Sequence, residues 1–410
     1  MATTRSSGTV GTPSSPDAGP EASKTLIICL GLSQLIGWGA LHYIIGVFGV
    51  DMATSLEWSD VVVQGGFSAS LVVMGLSSRL IGQWIDRYGG RTAMMAGCWI
   101  GALGCVLLSA SQNVVTYYAA WCVLGVAMRL ALYDAAFATL VKVAGGKSQR
   151  AMTAITLFGG LASTTFWPLG HALAQMYGWR GALLVYALIL VGASFLHLAI
   201  PKVPQEPLNG ASHAGSTASV VVVPNVLSKT ILYGLSAMMV LFMQAGMASH
   251  FIEILSALGW PIAAVVTVST LFGIGQVTGR LYMVFHGYRF NPVKMNLLPP
   301  CLLICSYLMF FAGKQSLYFA GAFALLYGAG NGIATITRGA VPIVLFGTQG
   351  YGRRVGSILR PAFVVSAAAP MAFAWVMGGW GAFVTVGTSL VFSAVLLGVA
   401  LALVYLSSRK

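Results

Sequence analysis

Four charged side chains stand inside long apolar runs of this chain: Arg129, Asp134, Arg280 and Arg338. An ionisable group in such a run is costly to keep from water, so it faces a partner or a polar cavity and marks a functional candidate. A guanidinium presents a planar fork of donors that grips a carboxylate through two parallel hydrogen bonds. Arg280, Arg129 and Arg338 are therefore candidate binders of an anion. Asp134 is the only carboxyl well inside a run and is the candidate for carrying a coupled proton; its alternative role is a permanent partner for an arginine. Arg129 and Asp134 are five residues apart and do not stack on one face of a regular helix, so Arg129 is expected to face the cavity or a neighbouring helix. Arg338 follows Thr335 and Thr337 and is placed either on the solute or at a gate. Arg79 and Arg360 lie near run ends, where they can snorkel to water.

Neutral candidates accompany these charges. Asn331 lies mid-run, where an amide needs a partner. Gln276 precedes Arg280 by one turn, and Tyr43 shares the first apolar run with Gln34, Trp38 and His42. Gln244 and His250 lie on a later run. Trp167-Pro168 and Pro370 sit at corresponding depths of two runs and are expected to bend them.

The elements that position these groups follow from composition. Of 410 residues, 57% are hydrophobic and only 8% charged, too few charges for the surface of a soluble protein of this size. Apolar runs lie near residues 25–49, 61–82, 92–110, 115–140, 151–174, 181–200, 229–252, 261–285, 295–312, 316–346, 355–377 and 381–406. Each is long enough to cross a hydrocarbon core about 30 Å thick. An all-α membrane protein of twelve transmembrane helices is expected. Residues 1–23 read as a disordered tail without a signal-peptide pattern, 24–200 as a first six-helix bundle, 201–228 as a linker, 229–406 as a second bundle, and 407–410 as a short tail.

Lys plus Arg number 22 against nine Asp plus Glu. The cations gather in one alternate set of loops, so topology rather than nucleic acid explains the excess, and both termini and the linker are expected in the cytoplasm of a plasma (bacterial inner) membrane. The six cysteines lie in apolar runs and form no C-x-x-C, which implies neither disulfide nor metal. No phosphate-binding loop, zinc motif or nucleophile elbow occurs, so no cofactor and no enzymatic activity are expected.

The halves repeat at an offset near 202. L-E-W-S at 56–59 returns as L-G-W-P at 258–261, and Gly178-Trp179 returns as Gly379-Trp380. Two duplicated bundles would give this pattern. Between the second and third runs stands G-Q-W-I-D-R-Y-G-G-R, with Gly82, Asp86, Arg87, Gly89 and Arg91 in their places. Their spacing resembles the signature loop of the major facilitator superfamily. That resemblance covers nearly the whole chain and implies two pseudo-symmetric six-helix bundles rocking about a central site. It further implies that Asp86 docks beneath the eleventh helix as a gate element, with Arg87 and Arg91 pairing locally or meeting anionic lipid. The Gly-Pro motif of drug–proton antiporters is absent from the fifth run, which reads F-G-G-L-A-S-T-T-F-W-P.

The run Q-V-T-G-R ending at Arg280 resembles the eighth helix of monocarboxylate transporters, whose arginine holds the substrate carboxylate. Gln276 replaces that family's acidic residue, and the first run carries no Lys. The expectation is a monomeric secondary transporter in a lipid bilayer, moving a small organic anion by alternating access, with proton coupling through Asp134. Two alternatives stand beside it: an exporter of a neutral or cationic compound that uses Asp134 as its acid, and a non-transporting membrane sensor.

Overall fold

The computed structural model describes residues 21–202, 225–286 and 291–408. The tail expected over 1–23 and the linker expected over 201–228 lie largely outside them, as does the loop residue Arg289. The described chain is helical from end to end, and its helices form twelve spans in two bundles. By residue number they cover 24–56, 60–88, 90–109, 114–144, 148–177 and 179–199 in the first bundle. The second bundle holds 226–256, 262–285, 292–312, 317–346, 351–380 and 382–408. The helices pack and keep their backbone polar groups bonded within themselves, as a bilayer requires.

Local sequence sets the helix ends. The Ser23 hydroxyl accepts from the Leu26 N–H at 3.2 Å, and Asn113 with Thr116 forms a reciprocal capping box ahead of the fourth span. The sharpest turns show the duplication. Glu57 (φ 55°) and Gly259 (φ 86°) are left-handed at the same step of the two halves. Gly145 and Gly347 form a second positive-φ pair, and Gly178 and Gly381 a third.

Several spans are not regular helices. The first contains a π-helical turn over Trp38–His42, where the Tyr43 N–H reaches the Trp38 carbonyl at 3.0 Å. The fourth breaks at Leu132, whose backbone is extended (φ −85°, ψ −172°). The eleventh breaks at Ala367–Ala368, just before Pro370. In the fifth, a turn at Leu161 interrupts the helix seven residues ahead of Pro168, which lies inside the helix that follows. Turns of this kind in spanning helices occur where they line a site and are shielded from lipid.

Large aromatic residues fill each bundle. Phe48, Tyr117, Trp121, Phe137 and Tyr186 anchor the first, and Tyr307, Phe310, Phe323 and Tyr327 the second. The first core continues into the eleventh span through Val355, Leu359 and Phe363. The bundles meet chiefly where the second span lies along the eleventh. There the backbones nearly touch: a Cβ on Gly82 would stand 2.0 Å from the Gly352 carbonyl oxygen, so only glycine allows the approach.

Candidate functional site

The fourth-span break decides the geometry of the buried charges. In a continuous helix Arg129 and Asp134 would point apart. The extended Leu132 turns the chain back, and Arg129 NH1 lies 3.2 Å from Asp134 Oδ2. This corrects the expectation that the two do not meet. The break frees the Ala131 carbonyl, which accepts from Gln34 Nε2 at 2.8 Å. Arg338, from the tenth span of the other bundle, brings NH2 to 3.9 Å from Asp134 Oδ1. One carboxylate therefore stands between two guanidinium groups and ties the bundles together. The contacts are ionic rather than well-aligned hydrogen bonds, since Arg129 Nε and NH1 and Arg338 Nε have none. A narrow crevice bordered by Tyr233, Ser236 and Asn296 reaches Arg338 from within the second bundle.

Among the described residues Arg280 has no such partner. Its side chain is 4% exposed, and Nε and NH1 are buried without a hydrogen bond. It crosses from the eighth span to the fifth, where a Cβ on Gly160 would stand 2.1 Å from NH1. The neighbouring Gly159 makes the same room for the Tyr133 hydroxyl, at 2.1 Å from its ideal Cβ. That hydroxyl donates to the Thr156 carbonyl at 3.2 Å. The tandem glycines thus form a shallow cradle for one guanidinium and one phenol, and Arg280 also acts electrostatically on Tyr43 and Tyr133.

An aromatic wall backs the cradle. The Trp38 ring lies 4.9 Å from Tyr133 and 4.7 Å from His42, and His42 lies 5.1 Å from Phe67. Trp38, His42, Tyr43 and Phe67 keep intermediate exposure, and Trp38 Nε1 is buried without a partner. Of the neutral candidates, Asn331 is buried and donates to the Tyr327 carbonyl at 3.0 Å, while Gln276 is half-buried on the eighth span. His250 is held by Glu253 at 3.1 Å and by the Pro370 carbonyl at 3.0 Å. Sequence reasoning passed over Phe67, Gly159, Gly160 and the wall role of Tyr133. A doubled glycine was the available signal, yet glycines are common in packed spanning helices.

The signature loop forms a second, separate constellation. Asp86 Oδ1 accepts from the Gly352 N–H at 3.0 Å and Oδ2 from the Arg353 N–H at 2.7 Å. These are free donors at a helix N-terminus, where a negative charge also suits the helix dipole. Lys142 donates to the Asp86 carbonyl. Arg91 caps the sixth span through Nε to the Ile200 carbonyl and NH2 to the Leu198 carbonyl, both at 2.7 Å, and Arg87 lies over the Tyr88 ring. Gly89 makes the turn with φ 85°. Among the described residues no group of three or more His, Cys, Asp or Glu side chains could hold a metal ion.

Two six-helix bundles with a charged site buried between them and a loop docked across one end define a multi-pass helical membrane protein. Residues 27–358 match the model of the Major Facilitator Superfamily, and the chain belongs to that family. Its family and fold are those of transporters, not enzymes. It is 27% identical over 224 residues to a probable sugar efflux transporter of Pasteurella multocida, covering 53% of this chain and 52% of the relative. It is 29% identical over 164 residues to monocarboxylate transporter 13 of Bos taurus, covering 40% of this chain and 37% of the relative. The chain thus spans about half or less of those relatives' lengths. Its fold is similar to that of the proton:xylose symporter XylE, with a TM-score of 0.71 at 11% identity over 91% of this chain and 94% of the other.

Proposed function

We propose that this protein is a secondary active transporter of a small organic anion, monocarboxylate-like, with Arg280 as the group that binds the carboxylate. The observation that carries the reading is a buried guanidinium with two unpartnered nitrogens at the seam between the bundles. A buried charge without a partner is expensive, and a carboxylate ligand would supply both counter-charge and acceptors. Among the described residues, the carboxylate buried at the seam, Asp134, is already engaged by Arg129 and Arg338. The seam therefore carries excess positive charge, which favours an anion over a cation. The likeness to a monocarboxylate transporter supports the same reading.

Asp134 is the acid assigned to coupling, since its protonation would loosen the hold on Arg129 and Arg338 and with it one tie between the bundles. Gln276, Asn331 and Tyr43 are placed as lesser contributors to the solute site. The basic loops put the signature loop, both termini and the linker in the cytoplasm of a plasma (bacterial inner) membrane. On that topology the bolted end is the cytoplasmic one, and the molecule, working as a monomer, is shut toward the cytoplasm. The likeness to a sugar efflux transporter favours a second reading, export of a neutral solute.

Uptake into proteoliposomes separates the two. The panel holds labelled mono- and dicarboxylates, one sugar and one cation, each with and without an inward proton gradient. A carboxylate is expected to accumulate, and Arg280→Lys, which keeps the charge but loses the fork, is expected to remove at least about tenfold of that rate. Transport of the sugar or cation that survives Arg280→Gln would overturn the reading.

A further inference from the structure

Resting on that reading, we propose that the carboxylate bound at Arg280 carries a flat aromatic body, stacked on the Trp38–Tyr133 wall, with the Trp38 indole N–H as a second donor to the anion.

The first ground is the balance of unspent polar groups. Among the described residues, four buried N–H donors around the cradle and its wall lack acceptors: Arg280 Nε, Arg280 NH1, Trp38 Nε1 and, behind Phe67, Trp121 Nε1. Several of the groups that could read hydroxyls are already used. Gln34 Nε2 is spent on Ala131, the Asn331 amide on Tyr327 and the Tyr133 hydroxyl on Thr156. Gln34 Oε1, one turn before Trp38, is the one unpaired side-chain acceptor among the buried atoms that lack a partner near this wall. Donors outnumbering acceptors suit a ligand that is mostly acceptor, such as a carboxylate, and suit a polyol poorly.

The second ground is shape. Tyr133, Trp38, His42 and Phe67 follow one another in that order at ring separations of 4.7–5.1 Å, their planes inclined by 43–74°, which makes a continuous aromatic surface that offers both faces and edges. Trp38 and His42 begin and end the π-helical turn. That turn widens the helix by one residue and holds both rings on the inner side, where they retain partial exposure. A planar ring gains from offset or edge-on contact with such rings beyond its area burial, and a saturated ring of the same size does not. The cradle completes the geometry. Gly159 and Gly160 set the Tyr133 hydroxyl and the Arg280 fork side by side, so the charged end of the ligand meets the fork as its body meets the wall.

The test measures equilibrium binding of benzoate, cyclohexanecarboxylate and lactate to the purified full-length protein, with glucose as a neutral control. Benzoate is expected to bind about fivefold or more tighter than cyclohexanecarboxylate. Trp38→Leu should abolish that preference and, with the indole N–H gone, weaken cyclohexanecarboxylate as well. Trp38→Phe, which preserves the stack and the fold, should retain the preference but weaken both acids through loss of the indole N–H. Equal binding of all three acids, unchanged in Trp38→Leu, would overturn the aromatic class and leave the organic-anion reading standing. Binding of glucose alone, insensitive to Arg280→Lys, would sink the anion reading itself and this inference with it.

Discussion

Asp134 shows how one residue's position can depend on a backbone defect. Five residues from Arg129, it would point roughly 140° away on a helix of 3.6 residues per turn. The extended Leu132 brings the two to 3.2 Å, and Arg338 approaches from the other bundle. The residue types were legible in the sequence, because charges in apolar runs are conspicuous. The pairing was not, since nothing in R-L-A-L-Y-D announces a break: no proline or glycine marks it. Asp134→Asn leaves two buried guanidinium groups facing each other without their counter-charge. Breaking such a pair costs about 3–5 kcal/mol, so the thermal midpoint of the purified variant should fall clearly. Adding Arg338→Gln should restore part of the loss, because one uncompensated charge is then gone. A single variant that melts like the parent would show that the carboxylate is not holding these arginines.

Among the elements, duplication is what the sequence displayed best. The L-E-W-S and L-G-W-P repeats locate the turns after the first and seventh spans, and there Glu57 and Gly259 share a left-handed backbone. Gly178 and Gly381 do the same between the last two spans of each half, with φ 68° and 81° and ψ near extended values. The run lengths gave most span ends to within about four residues, because crossing a bilayer demands a nearly fixed length. The first and second spans run six or seven residues beyond their expected ends at 49 and 82. Interruptions inside the runs stayed hidden: the π turn at Trp38–His42 and the breaks at Leu132 and Leu161 carry ordinary helix-compatible residues. They follow from how neighbouring spans fit. The two kinds of turn differ in their demand on side chains. At Gly178 the backbone lies where only glycine is comfortable, so Gly178→Ala should cost about 1–3 kcal/mol of stability. At Glu57 the left-handed conformation is already paid by a residue with a Cβ, so Glu57→Gly should raise stability by up to about 1 kcal/mol. Thermal melts of the two variants should therefore move in opposite directions; a shared direction would refute the reading of these turns.

For the molecule as a whole, the closed end is held by contacts of two kinds. The apolar kind lies along the second and eleventh spans, where glycines bring the backbones together. The polar kind is Asp86 on the Gly352 and Arg353 N–H groups, with Lys142 on the Asp86 carbonyl. Apolar contact changes little when helices slide, whereas the Asp86 bonds exist only when the eleventh span sits directly over the loop. If the bundles rock as proposed, these bonds distinguish the closed state from every other, as a switch element must. A carboxylate on a helix N-terminus contributes about 0.3–2 kcal/mol, so Asp86→Asn should shift the equilibrium toward opening at this end by roughly two- to thirtyfold. Spin labels at Lys147→Cys and Gln349→Cys, exposed loop residues of opposite bundles, report the change in a chain whose native cysteines have been replaced. Pulsed dipolar measurements on the parent should give a short main distance, and Asp86→Asn should add a longer population. Saturating solute should redistribute both in proportion to its preference for one state. If Asp86→Asn leaves the distances unchanged, the apolar seam alone keeps this end shut, and the signature loop serves only to place the turn.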